Sequence, residues 1–196
     1  MSNYRLILAS GSPRRKEILE NQGIPFEVVK SGREEKTKET IPQKVVRDLS
    51  EQKALDVYDQ IQGRRNVIIL SADTVVAKDG EILGKPEDEE DAVRMLTLLQ
   101  GSMHEVYTGV TLLLCAEDVK TIHIQEKTEV TMYPMTEEEI RSYVSSGEPM
   151  DKAGAYAIQG KCAVFVEKIN GDYNNVVGLP VAAVYQELKR NGIDLR

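Results

Sequence analysis

The chain has 196 residues, 41% of them hydrophobic, enough for a real core in one domain or in two small lobes sharing a sheet. Its formal net charge of −7 excludes a surface that tracks a nucleic acid polymer, which needs clustered and uncompensated Lys and Arg. A small polyphosphate needs only a few local cations and stays open as a partner.

The segment Met1-Ser2-Asn3-Tyr4-Arg5 leads directly into a short apolar run, Leu6 to Ala9, which reads as a buried strand. No apolar stretch is long enough to span a membrane and no signal-peptide pattern is present, so a cytoplasmic protein is expected. A helix follows at once, with Ser12 as N-cap, Pro13 at the first helical position, and Ile18 and Leu19 on its buried face. This puts Arg14 and Arg15 in the first turn, where the helix dipole disfavours cations by a few tenths to about 1 kcal/mol each. Free backbone N–H groups, the hydroxyls of Ser10 and Ser12 and two guanidiniums make an anion site suited to phosphate. The competing reading is a capped surface helix with solvated arginines.

"FEVVKSG" reads as a second strand and "SGREEKTKET" as a charged loop. Pro42 then opens a long helix with an apolar stripe through Val45, Val46, Leu49, Ala54, Val57 and Ile61. Val67 to Leu70 is typical of a central strand, and "AKDGEIL" carries the Asp-Gly pair of a tight hairpin. "EDEEDAVRMLTLLQG" predicts a helix with an acidic first turn, and "HEVYTGVTLLLC" and "TIHIQEKTEVTMY" predict two antiparallel strands. Thr136 and Glu139 form a capping box for the next helix. "DKAGAYAIQG" reads as a loop, "AVFVEKI" as a strand, "NGDYNNVVGLP" as a turn-rich connection and "VAAVYQELKRNG" as the closing helix. The mixture predicts an α/β fold, a mixed twisted sheet flanked by helices.

Asp73, following "VIILSA", is placed at or near the carboxyl end of a buried strand, where a carboxylate can hold Mg²⁺ or position and deprotonate water. A turn bond to its own backbone is the alternative. "GEILGKP" resembles the phosphate-binding P-loop but is one residue short, has Pro86 where a Ser or Thr would bind metal, and lies in a hairpin. Lys85 can still reach a phosphate from that turn. Glu35 lies in the acidic loop and Lys53 on the long helix; Gln159 can read a base edge, orient water, or satisfy loop backbone. Cys115 and Cys162 match no metal or redox spacing and read as buried thiols in strand-like surroundings. His104 and His123 are too isolated for a zinc site or a catalytic triad.

Taken together, "SGSPRR", the "EE" after the second strand, "EQKA", "SADTVV", "GKP", "HEVYTG", "GEPMDKAGAYAIQG" and "NNVVGLP" stand in the order and spacing of one family. Over almost its whole length the chain resembles the Maf family of nucleoside triphosphate pyrophosphatases, also called septum formation inhibitor proteins. The resemblance implies a single domain over residues 1–196, with a two-lobed architecture like that of the inosine triphosphatases and a central cleft. It also implies hydrolysis of a nucleoside triphosphate to the monophosphate and pyrophosphate, assisted by a divalent metal, Mg²⁺ first and Mn²⁺ second. By position it assigns phosphate binding to Ser10, Arg14, Arg15, Lys53 and Lys85 and makes Asp73 the catalytic carboxylate. Glu35 and Gln159 complete that site, and Asp73 with Glu35 would hold the metal. "SPRR" and "IQG" resemble the dTTP/UTP branch; the 7-methyl-GTP branch reads Ser-Pro-Trp-Arg. Ala157 departs from the family's usual Gly before "IQG". A homodimer is a family-based expectation. The alternatives are a pyrophosphatase for modified nucleotides, a non-catalytic nucleotide-binding regulator of septum formation, and a generic phosphatase.

Overall fold

The computed structural model describes residues 4–195, so the reading of Met1–Asn3 lies outside the described residues. A seven-stranded mixed sheet forms the scaffold, in the order β2-β1-β3-β5-β6-β7 with β4 paired to β3. The strands are β1 (Arg5–Leu8), β2 (Glu27–Val28), β3 (Val67–Lys78), β4 (Glu81–Leu83), β5 (Met103–Cys115), β6 (Val119–Met132) and β7 (Val166–Asn170). The helices are α1 (Pro13–Asn21), α2 (Pro42–Gln60), α3 (Glu89–Leu99), α4 (Glu137–Val144), α5 (Tyr173–Val177) and α6 (Val181–Arg190). Among the described residues no helix is long and apolar enough to cross a membrane.

The chain divides into two compact units. The first takes the residues up to Asp73, Thr108–Glu126 and those from Gly178 onward. Here β1 lies parallel to β2 and to β3, with Leu8 opposite Val28 and Leu70. Its core gathers Ile7, Ala54, Val57, Ile69 and Leu113, and α2 buries Val45, Val46, Ala54 and Val57 of the predicted stripe, while Leu49 is half-buried and Ile61 follows the helix end. Two further features seat α2. A Cβ on Gly109 of β5 would stand 2.6 Å from the Val46 carbonyl, so only a residue without a side chain lets the helix backbone come this close. The Ser71 hydroxyl donates to the Ser50 carbonyl, and the Ser50 and Thr111 hydroxyls share a bond of 2.9 Å, so the buried polar groups along this seat are paired.

The second unit comprises Thr74–Tyr107 and Lys127–Val177. β3 and β4 make the predicted hairpin, with Val76 opposite Leu83, and Asp79 and Gly80 both take positive φ as a two-residue turn requires. Asp88 caps α3 through the Asp91 amide, and the Thr136–Glu139 capping box opens α4. The core of this unit includes Val76, Leu96, Leu99, Val130, Ile140 and Tyr143.

Several expectations are corrected. Asp73 is not at the end of its strand, because β3 continues past Leu70, where its pairing with β1 ends, to Lys78 and pairs with β4 over Val76–Lys78. Ser12 is the N-cap of α1 but its side chain makes no cap bond. The second strand has only two residues. Single helical turns occupy Glu148–Asp151, Ala153–Ala155 and Lys161–Phe165, so β7 starts three residues late and Cys162 sits in a turn, not a strand. The "NGDYNNVVGLP" connection contains α5, anchored where the Asn175 side-chain Nδ2 donates to the Val106 carbonyl and to the Thr128 hydroxyl. Such long-range bonds leave no local signature.

His104 is 1% exposed, its Nε2 2.8 Å from the Tyr156 hydroxyl, and burial with a contribution from Lys78 brings its pKa down to about 4. The unfolded chain therefore binds a proton at His104 between pH 6.5 and 4 that the native state does not. Stability should fall as pH drops through that window, by up to about 1.4 kcal/mol per pH unit from this group. Urea unfolding at pH 7 and pH 5 checks this, and His104→Gln should flatten the dependence.

Candidate active site

In the first unit, the turn between β1 and α1 organises the predicted anion site. Ser10 is buried; its hydroxyl oxygen accepts from the Ser12 amide at 3.2 Å and from an Arg15 terminal nitrogen at 3.2 Å. Arg15 Nε donates to the Gly178 carbonyl at 2.7 Å, so the guanidinium is fixed at two points. Burial pulls the Arg15 pKa down, with Asp73 opposing, Arg14 adding and Glu35 opposing. An arginine stays charged under any such pull. The first turn of α1 carries no acidic residue to offset the two arginines.

Lys53, from α2, stands between two carboxylates. Its Nζ lies 2.5 Å from Asp73 Oδ1 and 3.0 Å from Glu35 Oε2, and it also donates to the Ala72 carbonyl at 3.4 Å. The Lys53 and Asp73 side chains are 13% and 15% exposed, and Glu35 is 31% exposed, so water screens this triad only in part. Ser10, Arg15, Glu35, Lys53 and Asp73 are thus brought together within one unit, with Arg14 beside them. Arg14, Arg15 and Lys53 group three cations with the two carboxylates in a chain of net charge −7, a grouping that suits a polyanion.

Lys85 and Gln159 belong to the second unit, and both are exposed. The loop before Lys85 is tied down where the Gly154 amide donates to the Gly84 carbonyl at 3.0 Å. The loop carrying Gln159 is clamped on both flanks. The Ala157 amide donates to the Tyr143 hydroxyl at 3.2 Å, that hydroxyl donates to Glu148 Oε1 at 2.9 Å, and the Lys161 amide donates to the same carboxylate at 3.0 Å. A Cβ at Gly160 would lie 2.0 Å from Glu148 Oε1, so a side chain here would push the Glu148 carboxylate out of the place from which it holds the loop.

A family model described as Maf-like protein matches residues 5–191. The chain belongs to the Maf family. It is 52% identical over 194 residues to a dTTP/UTP pyrophosphatase of Lachnoclostridium phytofermentans, covering 98% of each chain. It is 50% identical over 203 residues to a dTTP/UTP pyrophosphatase of Agathobacter rectalis, covering 97% of this chain and 99% of the relative. A crystal structure of a nucleoside-triphosphatase / dITP/XTP pyrophosphatase from Mycobacterium abscessus is similar at 13% identity, with a TM-score of 0.40 over 67% of this chain and 75% of that one.

Within this Maf chain the Ala157 departure costs no backbone strain, because positive φ falls on Ala155, not on Ala157. Sequence reasoning assigned no role to Tyr143 or Glu148. A tyrosine on the buried face of a capped helix, followed by "GEP", was the available signal, but their joint action on residues 157 and 161 depends on the folded loop. The cysteines are buried free thiols whose pKa values burial raises, Cys162 to about 12, so neither is a nucleophile.

Among the described residues no group of three or more His, Cys, Asp or Glu side chains is placed to cage a metal. Two hard carboxylates at one point fit a different arrangement: Mg²⁺ keeps most of its waters and is held by one or two carboxylates together with substrate phosphates. Glu35 and Asp73 fit that donor set, with Lys53 between them.

Removing the Tyr143 hydroxyl leaves the Ala157 amide without its buried acceptor, a loss of about 1–3 kcal/mol. Tyr143→Phe should lower the melting temperature and accelerate hydrogen exchange at Ala157 more than in the first unit, a pattern that residue-resolved exchange would detect.

Proposed function

We propose that this Maf protein is a nucleoside triphosphate pyrophosphatase that cleaves dTTP and UTP to the monophosphate and pyrophosphate. Its full-length similarity to dTTP/UTP pyrophosphatases supports the substrate class. The observation that carries the chemistry is Lys53 bridging Glu35 and Asp73 beside the fixed guanidinium of Arg15.

In the proposed reaction the oxygen of a water bonds to the α-phosphorus as the α–β bridging bond breaks, and the bridging oxygen leaves with pyrophosphate. A divalent cation, Mg²⁺ in this proposal and held by Glu35 and Asp73, would polarise phosphate oxygens and offset developing charge when bound. Arg15, already fixed by Ser10 and Gly178, holds phosphate oxygens without being reorganised during the reaction, and Arg14 adds a second guanidinium. Lys53 keeps the two carboxylates in register and presents a third cation. Glu35 and Asp73 are the groups available to accept the proton of the attacking water. No covalent intermediate is needed, since phosphoryl transfer depends mainly on positioning and charge neutralisation. For Lys85 and Gln159 the proposed roles, phosphate contact and substrate binding, rest on the family likeness alone.

Purified protein with Mg²⁺ should convert dTTP and UTP to monophosphate and pyrophosphate, and Asp73→Asn or Arg15→Ala should lower kcat/KM by at least about 100-fold. Orthophosphate as the first product would identify a generic phosphatase instead. Tight nucleotide binding without turnover of any triphosphate, canonical or modified, would identify a non-catalytic regulator.

A further inference from the structure

Glu35 lies in the segment 31–40, which has no helix or strand of its own, yet its carboxylate must stay within reach of Lys53. The polar side chains of α2 at positions 48, 52 and 56 recur at the spacing that puts i, i+4 and i+8 on one face of a helix. All three meet this segment. The Thr37 side chain is hydrogen-bonded to Asp48. The Lys36 amide donates to Gln52 Oε1 at 3.2 Å, and Gln52 Nε2 donates to the Lys36 carbonyl at 2.8 Å and to Asp48 Oδ1 at 2.9 Å. Asp56 Oδ2 accepts from the Ser31 hydroxyl at 2.9 Å, the Gly32 amide at 2.8 Å, the Arg33 amide at 3.3 Å and Gln60 Nε2 at 2.9 Å, while its Oδ1 pairs with Arg33 Nε at 2.9 Å.

The order of contacts is reversed, 37, 36 and then 33 to 31 against 48, 52 and 56, so the segment runs antiparallel along α2. Gln52 binds both backbone groups of Lys36 as a neighbouring strand would, which restrains the rotation of that residue as well as its position. Glu35 sits between this anchor and the Asp56 anchor, and Lys53 follows Gln52 on the helix. We propose that the Asp48–Gln52–Asp56 stripe is the positioning device for Glu35, holding it in register with Lys53 and Asp73. The proposal rests on the reading of Glu35 as a residue of the pyrophosphatase site. One helix then supplies both the central cation of the triad and the restraint on one of its carboxylates.

Gln52→Ala is the informative variant, because alanine is a good helix former and Asp56, the buried anchor, is untouched. With dTTP and Mg²⁺, its kcat should fall about 10- to 100-fold while KM changes less than about 3-fold, the scale expected for misplacing a catalytic group by about 1 Å. Its melting temperature should stay near that of the parent, and exchange of the Lys36 amide should quicken. The deciding measurement is a double-mutant cycle. Once Glu35→Gln has removed the carboxylate, adding Gln52→Ala should change kcat less than about 2-fold. Undiminished kcat in Gln52→Ala, or an equal loss with and without the Glu35 substitution, would overturn the proposal. Full activity in Glu35→Gln alone would instead overturn the reading of Glu35, and the proposal with it. If the parent hydrolyses no triphosphate, the function reading fails separately, and unaltered Lys36 exchange in Gln52→Ala would still overturn the positioning claim.

Discussion

A helix backbone can rest directly on a strand only where the strand has no side chain, and Gly109 provides that gap under Val46. From this seat the polar and charged contacts of α2 follow at helical spacing. One turn on, Ser50 meets Ser71 and Thr111; nearly a turn later Lys53 reaches Asp73, and beside it Ala54 and Val57 enter the apolar cluster. A lift of the helix by one methyl group would disturb all of these together, because packed interiors pass displacement on. The geometry of the triad is therefore a consequence of how closely α2 lies on β5.

The electrostatics of this unit fit that arrangement. Two arginines in the first turn of α1 act against the helix dipole, and the fold fixes one of them with a carbonyl and a serine hydroxyl. A carbonyl orients a guanidinium without neutralising it. The acids of the cluster are held in turn by Lys53, which bonds to both and offsets their mutual repulsion. The result is a local grouping of three cations within an acidic chain, an arrangement that favours a small polyanion over a polynucleotide.

Much of this was legible before the fold was known. Pro13 and Pro42 marked helix starts, Asp79-Gly80 marked the hairpin, and Thr136 with Glu139 marked a capped helix, because each signal is contained within a few residues. The interior position of Asp73 was not legible, since the apolar run ends at Leu70 and the polar residues Ser71, Asp73 and Thr74 read as a strand end, whereas β3 continues and pairs with β4 from Val76. The turns after Gly147 and the helix within "NGDYNNVVGLP" were missed because they depend on Glu148, Thr128 and Asn175 bonding to distant backbone. The polar stripe of α2 was visible as spacing, but a solvated face and a loop anchor look alike in one dimension.

The sequence by itself determined most of the helices and strands, the α/β class, the family and the residue types available for phosphate chemistry, because propensity, capping and motif order are local properties of a chain. Only the tertiary structure decided that Glu35, Lys53 and Asp73 form one triad and that Arg15 is anchored by Gly178, 163 positions away in the chain. These are meetings of side chains from separate elements, and their distances depend on close packing that no local pattern encodes.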